Sequence, residues 1–182
     1  MANPQKAKGD KGEREAVEIL VALAPDLARD NAMRMLGAGR KDDIGDIAVF
    51  DDVAIQVKTW ANLTRACREA ADGAVQQQKN GRSAHHLGLA PIPRARTGVE
   101  SLRWLATMYA IPDGKESWEP LPTFGLTTDA VKHLSTGYPG RVPLTMRACV
   151  VRKTGLRPLY MMPLQAWVAC YRQTKNPMEP TS

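Results

Sequence analysis

Apolar and polar positions repeat with two different periods along the chain, and these periods predict helices and strands in alternation. Apolar side chains recur three and four residues apart between residues 11 and 24, which predicts an amphipathic first helix. Asp10 is suited to cap this helix, with Glu13 completing a capping box, and Pro25 is suited to end it. The preceding residues 1–9 are expected to be a basic, disordered lead.

Short apolar runs bounded by polar turns predict strands in the first half of the chain. Residues 31–36, 46–50 and 53–58 have strand composition. The last two of these segments flank Asp51-Asp52 and predict a hairpin. A second helix is predicted over residues 62–79, which are rich in Ala, Arg and Gln.

The second half predicts further strands separated by proline and glycine. The strand candidates cover residues 86–92, 102–110, 146–151 and 158–162. Helices are predicted over residues 128–135 and 163–173, whereas residues 112–125 are predicted to be a loop. The predicted fold class is therefore α/β, with helices on both faces of a central mixed sheet.

Polar side chains interrupt the predicted hairpin strands at Asp46, Gln56 and Lys58. A buried polar side chain costs free energy unless it is paired or used. Gln56 and Lys58 are two residues apart and share one face of their strand. A two-residue turn at 51–52 would place Asp46 on the opposite face, so we predict an odd-length loop or a bulge.

These residue types suit the hydrolysis of a phosphodiester. That reaction uses a metal held by carboxylate oxygens, which neutralises phosphate charge and activates water. Mg²⁺ accepts one or two carboxylates and keeps several waters, and Mn²⁺ is expected to substitute for it. Asp46 and Lys58 would meet this need together with a carboxylate of the first helix, Glu13 or its alternate Glu15.

The distribution of charge indicates a polyanionic partner, of which nucleic acid is the first candidate. The chain has 25 Lys and Arg against 19 Asp and Glu, for a formal net charge of +6. Residues 1–140 are balanced, whereas residues 141–182 carry seven basic residues and one acidic residue. A solvated surface that keeps the protein soluble would show the same pattern, so charge alone does not decide between the two.

Composition argues against several other classes of protein. No run of 18 apolar residues predicts a transmembrane helix, and no secretory signal is predicted at the N-terminus. Three separated cysteines fit a reducing, cytoplasmic environment. We expect the histidines on the surface or in loops, Gln76–Gln78 at an exposed helix end, and the four tryptophans in core or hairpin packing.

The spacing D-x9-Q-x-K, formed by Asp46, Gln56 and Lys58, resembles the signature of the PD-(D/E)XK nuclease superfamily. Within it, three blocks over roughly residues 8–92 resemble the archaeal-type Holliday junction resolvases. The blocks are Lys8-Gly9 with Glu13-Arg14, the glycine-rich basic loop 37–47, and the strand Ile55-Gln56-Val57-Lys58-Thr59.

The resemblance implies a role for each matching residue. Glu13 would approach a metal from the helix, and Asp46 would be its principal carboxylate. Gln56 would lend its amide oxygen and Val57 its backbone carbonyl. Lys58 would act on the attacking water.

Two positions depart from the family pattern. Gln56 replaces the usual acid, and a neutral amide oxygen binds a divalent cation more weakly than a carboxylate. Asp42 or Asp43 could supply the missing charge, or both could be solvated loop acids. Alternatively, Gln56 is a structural residue in a site that has lost catalysis. Gly45 stands where the family often has proline.

Basic residues in three segments are expected to contact phosphates without reading bases. They lie on the first helix, in the glycine-rich loop and in the C-terminal segment: Lys8, Lys11, Arg14, Arg40, Lys41, Arg152 and Lys153.

The resemblance implies one nuclease domain over residues 1–182. Its restriction-endonuclease-like core, of order αβββαβ, would span about 9–111, followed by a basic strand and helix extension over about 112–175 and a tail at 176–182.

The implied activity is Mg²⁺-dependent cleavage of branched DNA, with Holliday junction resolution favoured. Paired nicks would require a C2 homodimer, in a prokaryotic or phage-infected cell. Another nuclease of the superfamily (flap, nicking or restriction-type) or a catalytically degenerate DNA-binding protein remains an alternative.

Overall fold

The helical and strand periods of the sequence appear as four helices and one eight-stranded sheet in the described part of the chain. The computed structural model describes residues 4–35, 45–92, 102–112, 120–136 and 142–176. The helices are α1 (Pro4–Leu23), α2 (Leu63–Gly81), α3 (Thr127–Thr136) and α4 (Leu164–Lys175). The strands are β1 (Met33–Arg34), β2 (Ile47–Ala48), β3 (Val53–Val57), β4 (His85–Pro91), β5 (Trp104–Met108), β6 (Thr123–Phe124), β7 (Cys149–Val151) and β8 (Leu159–Pro163). None of the described helices is long and apolar enough to cross a membrane.

The first helix begins at Pro4, well before its predicted start at residue 11. The prediction of a disordered lead is therefore wrong for residues 4–9, which have no apolar stripe to reveal the helix. The capping-box prediction is also wrong, because Asp10 and Glu13 lie inside the helix. Both carboxylates accept hydrogen bonds from Arg34 instead, at 2.6 Å and 2.5 Å respectively.

A single mixed sheet joins the two halves of the chain, in the order β1-β2-β3-β4-β5-β8-β7-β6. β3 and β4 are parallel neighbours joined through α2, and β6 and β7 are parallel neighbours joined through α3. The other neighbouring strands are antiparallel. The predicted α/β class with a mixed sheet and flanking helices is confirmed, and the C-terminal strands continue the sheet of the first half.

Helices cover both faces of this sheet with separate apolar clusters. α1 and α4 pack on one face, where Leu20 and Trp167 share a cluster with Ile55. α2 and α3 pack on the other face, where Cys67 and Leu134 belong to a second cluster. Removal of this apolar surface from water is the main driving force for assembling the three layers.

The β2–β3 hairpin has the predicted register. Ile47 lies opposite Ile55, which places Asp46 opposite Gln56 and not opposite Val57. The odd-length connection expected between the two strands is therefore confirmed. Asp46 and Gln56 share one face, while the odd-numbered residues Ile47 and Ile55 point into the opposite core.

The last helix is fastened to the β2–β3 turn and to the end of α1. The Tyr171 hydroxyl donates to Asp52 Oδ1 at 2.5 Å, and Lys175 Nζ donates to Asp52 Oδ2 at 2.7 Å. Arg172 pairs with Asp26, just after α1. Part of the basic excess of the C-terminal segment is thus neutralised within the fold.

Candidate active site

A cavity of about 490 Å³ opens at the carboxyl end of β3, next to the N-terminal half of α1. Its walls are formed by Lys8, Gly9, Glu13, Asp46, Val57, Lys58, Thr59, Trp60 and Ala61. These residues include both predicted carboxylates, the predicted lysine and Val57, whose backbone carbonyl was the fourth predicted contact. The cavity therefore brings together residues from three separate elements that the sequence had related only by spacing.

Close contact between α1 and the end of β3 depends on Gly12. A Cβ atom at this position would collide with the Cγ2 methyl of Thr59. The absence of a side chain allows the helix to approach the strand, and it carries the next residue, Glu13, to the cavity wall.

Asp46 is held by two donors on β3. Its Oδ2 accepts a hydrogen bond from Gln56 Nε2 and a second from the backbone N–H of Val57 at 2.9 Å. The chain reaches Asp46 through Gly45, whose φ of 151° is rarely adopted by residues with a side chain. Proline cannot adopt this conformation, so the departure from the family pattern at Gly45 has a structural reason.

The Gln56 side chain is buried between β3 and α2. Its amide oxygen accepts a hydrogen bond from Gln77 Nε2 at 2.7 Å. Gly73, one turn earlier in α2, provides the space, because a Cβ there would lie 2.7 Å from Gln56 Oε1. The amide oxygen that the resemblance assigns to the metal thus faces α2, and the amide NH₂ group faces Asp46. Gln56 is not among the residues lining the cavity.

Gln77 corrects the expectation of an exposed glutamine run at the end of α2. Gln76 is exposed, but Gln77 is 1% exposed and orients Gln56. The signal available in the sequence was its helical spacing from the buried Ala66, Ala70 and Ala74, which places position 77 on the same face of α2.

Arg34 is a residue of the site region that sequence reasoning missed. It binds Glu13 and Asp10 from the edge strand β1. Partial burial opposes its charge, but the hydrogen bonds and negative charges of Glu13 and Asp10 raise the pKa of Arg34 above its usual range. Glu13 therefore has a permanent cationic partner beside the cavity.

Lys58 follows the last residue of β3, and its backbone N–H donates to the carbonyl oxygen of Leu89 at 2.9 Å. This bond extends the β3–β4 ladder by one residue and fixes the backbone of Lys58 at the cavity wall. Within the described part of the chain, the ammonium group of Lys58 forms no ion pair. Lys58 is one of the residues that line the cavity.

The other basic residues predicted on α1 differ in position. Lys8 lines the cavity, whereas Lys11 and Arg14 do not. Lys11 pairs with Glu15 across one helical turn, at 3.7 Å. Glu15 is also absent from the cavity wall, so Glu13 is the carboxylate that α1 supplies there.

The glycine-rich loop contributes Asp46 to the cavity, whereas its residues 37–44 lie outside the described part of the chain. Arg40 and Lys41, predicted to contact phosphates, lie outside the described residues, as do Asp42 and Asp43, the alternative sources of charge.

Arg152 and Lys153 lie at the opposite end of the sheet from the cavity. The cavity adjoins Val57, at the carboxyl end of β3. The strand pairings place the β7–β8 hairpin, which carries both basic residues, at the end where β3 begins. Given strand length and spacing, the two regions are separated by roughly 20 Å. The structure therefore does not bring these predicted DNA contacts together with the predicted catalytic residues.

Aromatic side chains follow the expected packing with one exception. Trp104 and Trp167 are buried, as predicted, and Trp118 lies outside the described residues. Trp60 is 40% exposed and lines the cavity, so the expectation of interior packing is wrong for this residue.

His86 is buried in β4, so the expectation of a surface or loop histidine is wrong for it. Its Nε2 accepts a hydrogen bond from the backbone N–H of Tyr109 at 3.1 Å. Burial, together with the positive charge of Arg157 and the neighbouring His85, lowers the pKa of His86 to about 4. The imidazole is therefore a neutral structural acceptor and is remote from the cavity lining.

The oxygen donors of the cavity fit a hard divalent cation. Among the described residues, no three His, Cys, Asp or Glu side chains converge on one point. Asp46 and Glu13 nevertheless supply two carboxylates, and Val57 contributes backbone to the same wall. Mg²⁺ needs no more than one or two carboxylates because it retains several waters, although Arg34 competes for Glu13.

Comparisons of the chain with protein-family models, with curated proteins and with solved structures give no match. The functional conclusion therefore depends on the residues of the cavity itself.

Proposed function

We propose that the protein is a Mg²⁺-dependent DNA endonuclease of the PD-(D/E)XK type, built as one domain around a restriction-endonuclease-like core. The observation that carries the proposal is the shared cavity of Glu13, Asp46, Val57 and Lys58. Metal-dependent hydrolysis of a phosphodiester uses carboxylates that hold a cation and a cationic side chain near the phosphate, and this set of residues meets that need.

The residues of the cavity divide the work between metal binding and proton transfer. Asp46 and Glu13, with the backbone carbonyl of Val57, would hold Mg²⁺ or Mn²⁺. The bound cation supplies charge neutralisation at the phosphate and a more acidic water. Lys58 orients the attacking water as an ammonium group or, in its neutral form, takes the proton of that water, and Lys8, which also lines the cavity, attracts the phosphate.

Hydrogen bonding fixes Asp46 before any metal arrives. Its Oδ2 is held by Gln56 and by the Val57 amide, so the carboxylate cannot rotate freely. A carboxylate that is already oriented loses less conformational entropy on binding a cation. Gln56 thus supports the site through Asp46, because its NH₂ group donates to this carboxylate while its oxygen accepts from Gln77.

Branched DNA is the favoured substrate in this proposal, with paired nicks made by a C2 homodimer at a four-way junction. The experiment that tests the proposal incubates the protein with labelled four-way junction, flap, duplex and single-stranded DNA, each with Mg²⁺, with Mn²⁺ and with EDTA. Symmetric nicks confined to the junction support resolution. Cleavage of the flap or of plain duplex indicates another nuclease of the superfamily.

The catalytic assignment predicts that Asp46→Asn abolishes cleavage and leaves DNA binding largely intact, because it removes a metal carboxylate without changing side-chain size. Cleavage rate and Kd, measured on the same DNA, check this prediction. Asp30→Asn is the matched control, since Asp30 is exposed and does not line the cavity. Normal cutting by Asp46→Asn would show that the site is wrong.

One observation favours a second candidate, a DNA-binding protein without catalysis. Gln56 replaces a carboxylate and directs its NH₂ group towards Asp46, which occupies one of the metal-binding oxygens. Tight DNA binding without cleavage in either Mg²⁺ or Mn²⁺ would support this candidate over the nuclease.

A further inference from the structure

Trp60 is more exposed than the other tryptophans in the described part of the chain. It is 40% exposed, whereas Trp104 and Trp167 are buried. An exposed indole leaves a large apolar face in contact with water, and such faces commonly mark binding sites. Trp60 lies two residues after Lys58 and forms part of the same cavity wall.

The ring of Trp60 is held in place by the first turn of α2. The guanidinium carbon of Arg65 lies 3.6 Å from the ring centre. Arg65 is in turn fixed by Glu69, at 2.6 Å, and by the Asn62 side chain, which accepts from its backbone N–H at 3.0 Å. The stacked guanidinium makes the ring a rigid surface instead of a freely rotating side chain.

The cavity combines this flat surface with separated charges. Lys8 and Lys58 provide positive charge for a phosphate. The volume of the cavity, about 490 Å³, is within the range of small-ligand sites. A nucleotide offers both matching parts, a phosphate for the lysines and a flat base for the indole. Stacking of bases on aromatic side chains tolerates any base, because every base has a π face.

We propose that Trp60 stacks on an unpaired base next to the phosphate bound in the cavity, so that DNA enters with at least one nucleotide out of the duplex. A paired base is covered on both faces by its neighbours and cannot present one to Trp60. This proposal rests on the proposed nuclease function and narrows its substrate to DNA in which at least one nucleotide is unpaired, as in a flap, or can leave the duplex on binding, as next to a branch point.

The test measures binding in EDTA, so that it does not depend on cleavage. Two labelled oligothymidylate strands of equal length are compared, one intact and one with abasic sites that keep every phosphate. We expect the intact strand to bind roughly 5- to 100-fold more tightly. In Trp60→Leu this ratio should fall towards one, and Trp60→Phe should retain part of it.

Leu126→Ala serves as the matched control, because Leu126 is another exposed apolar side chain and lies at the start of α3. Circular dichroism checks that each variant is folded. An unchanged ratio in Trp60→Leu, or equal binding of both strands by the unaltered protein, would overturn the stacking proposal. Stacking without cleavage in Mg²⁺ or Mn²⁺ would overturn only the nuclease, and cleavage without stacking only the role of Trp60.

Discussion

Gln56 is the residue that most directly connects the fold to the chemistry of the cavity. It is 5% exposed, donates to Asp46 and accepts from Gln77. The resulting chain of hydrogen bonds runs from the interior of α2 to the carboxylate at the cavity wall. Each member satisfies a polar group that would otherwise be buried without a partner, at a cost of about 1–3 kcal/mol.

Gln56→Glu should make the stability of the protein respond to a divalent cation. The substitution introduces the acid that is usual in the nuclease family that the sequence resembles. It also replaces the amide NH₂ group that donates a hydrogen bond to Asp46 with a second carboxylate, which repels Asp46. We expect the variant to lose about 1–3 kcal/mol of stability in EDTA. Mg²⁺ or Mn²⁺ should raise its Tm more than that of the unaltered protein.

The matched control for this variant is Gln76→Glu, which adds the same charge at an exposed position of α2. Thermal unfolding in EDTA and in Mg²⁺ checks both variants. Equal Tm values for Gln56→Glu and the unaltered protein in EDTA would contradict the hydrogen-bond chain described above.

The sequence alone predicted which residues of β2 and β3 share a face of the sheet, because a strand has only two faces. Asp46, Gln56 and the intervening apolar residues left one consistent arrangement. The partners of those polar groups could not be found in the same way. Arg34 and Gln77 lie 21 residues from Glu13 and Gln56, and only the packing of separate elements brings them together.

At the scale of elements, glycine positions decide how closely the helices approach the sheet. Gly12 lets α1 touch Thr59, and Gly88 lets α2 pack on β4, since a Cβ there would lie 2.6 Å from the backbone of Ala70 and Ala71. Such contacts place the cavity residues within reach of one another.

Two glycines of α1 should respond in opposite ways to alanine. Gly12→Ala must push the helix away from Thr59 and should destabilise the protein by about 1–3 kcal/mol. Gly9→Ala meets no atom within 4 Å and should stabilise it by up to about 1 kcal/mol through helix propensity. Denaturant midpoints measured for both variants check this. A neutral Gly12→Ala would show that α1 does not need its close approach.

Most elements were predicted from the pattern of their apolar positions, including the two-residue strands β1 and β2, whereas β6 was not. The span of α2 follows directly from its buried alanines. β6 has only two residues, between prolines and a helix, so its sequence gives no alternation to detect. The position of β8 between β5 and β7 could not be predicted either, because chain order does not specify which strand edges meet.

Across the whole molecule, the C-terminal basic residues serve different purposes. Arg172 and Lys175 are paired with Asp26 and Asp52 inside the fold. Arg152 and Lys153 are exposed at the end of the sheet opposite the cavity. The uneven charge distribution of the sequence thus does not correspond to one continuous DNA-binding surface.

Salt dependence should separate these two basic regions. The slope of the logarithm of the DNA-binding constant against the logarithm of the salt concentration counts contacts between basic residues and phosphates. Lys8→Ala should reduce this slope by about one for a bound pentanucleotide, because Lys8 lines the cavity and would contact one phosphate. Arg152→Ala combined with Lys153→Ala should leave that slope unchanged but reduce it on a four-way junction, whose arms reach both ends of the sheet. An effect of the double variant on the pentanucleotide, or none on the junction, would contradict this division.

The stability of the molecule should decrease in mild acid. The pKa of His86 is about 4 in the fold against an ordinary value of 6.5, so between these pH values only the unfolded chain takes up the proton. The stabilisation that comes from the neutral His86 is fully present above pH 6.5. Its loss lowers the free energy of unfolding by about 2 kcal/mol between pH 7 and pH 5. Below this window, loss of the Asp52 pairs adds to the effect: burial raises its pKa, but hydrogen bonds from Lys175 and Tyr171 outweigh this and lower it overall.

Denaturant unfolding at pH 7 and at pH 5 measures this difference. His86→Gln keeps an acceptor for the Tyr109 N–H and has no titrating group, so its stability should change less between the two pH values. Equal pH dependence in the variant and the unaltered protein would assign the acid sensitivity to other groups.

The position of β8 between β5 and β7 connects assembly of the sheet to the synthesis of residues 159–163. The nascent chain emerges from its N-terminus, so β5 has no partner on one side until Leu159–Pro163 leaves the ribosome. Until then the open edge of β5 can pair with other chains. Copies that stop before Leu159 are therefore expected to aggregate or be degraded, and only chains that extend past Pro163 should acquire the assembled sheet.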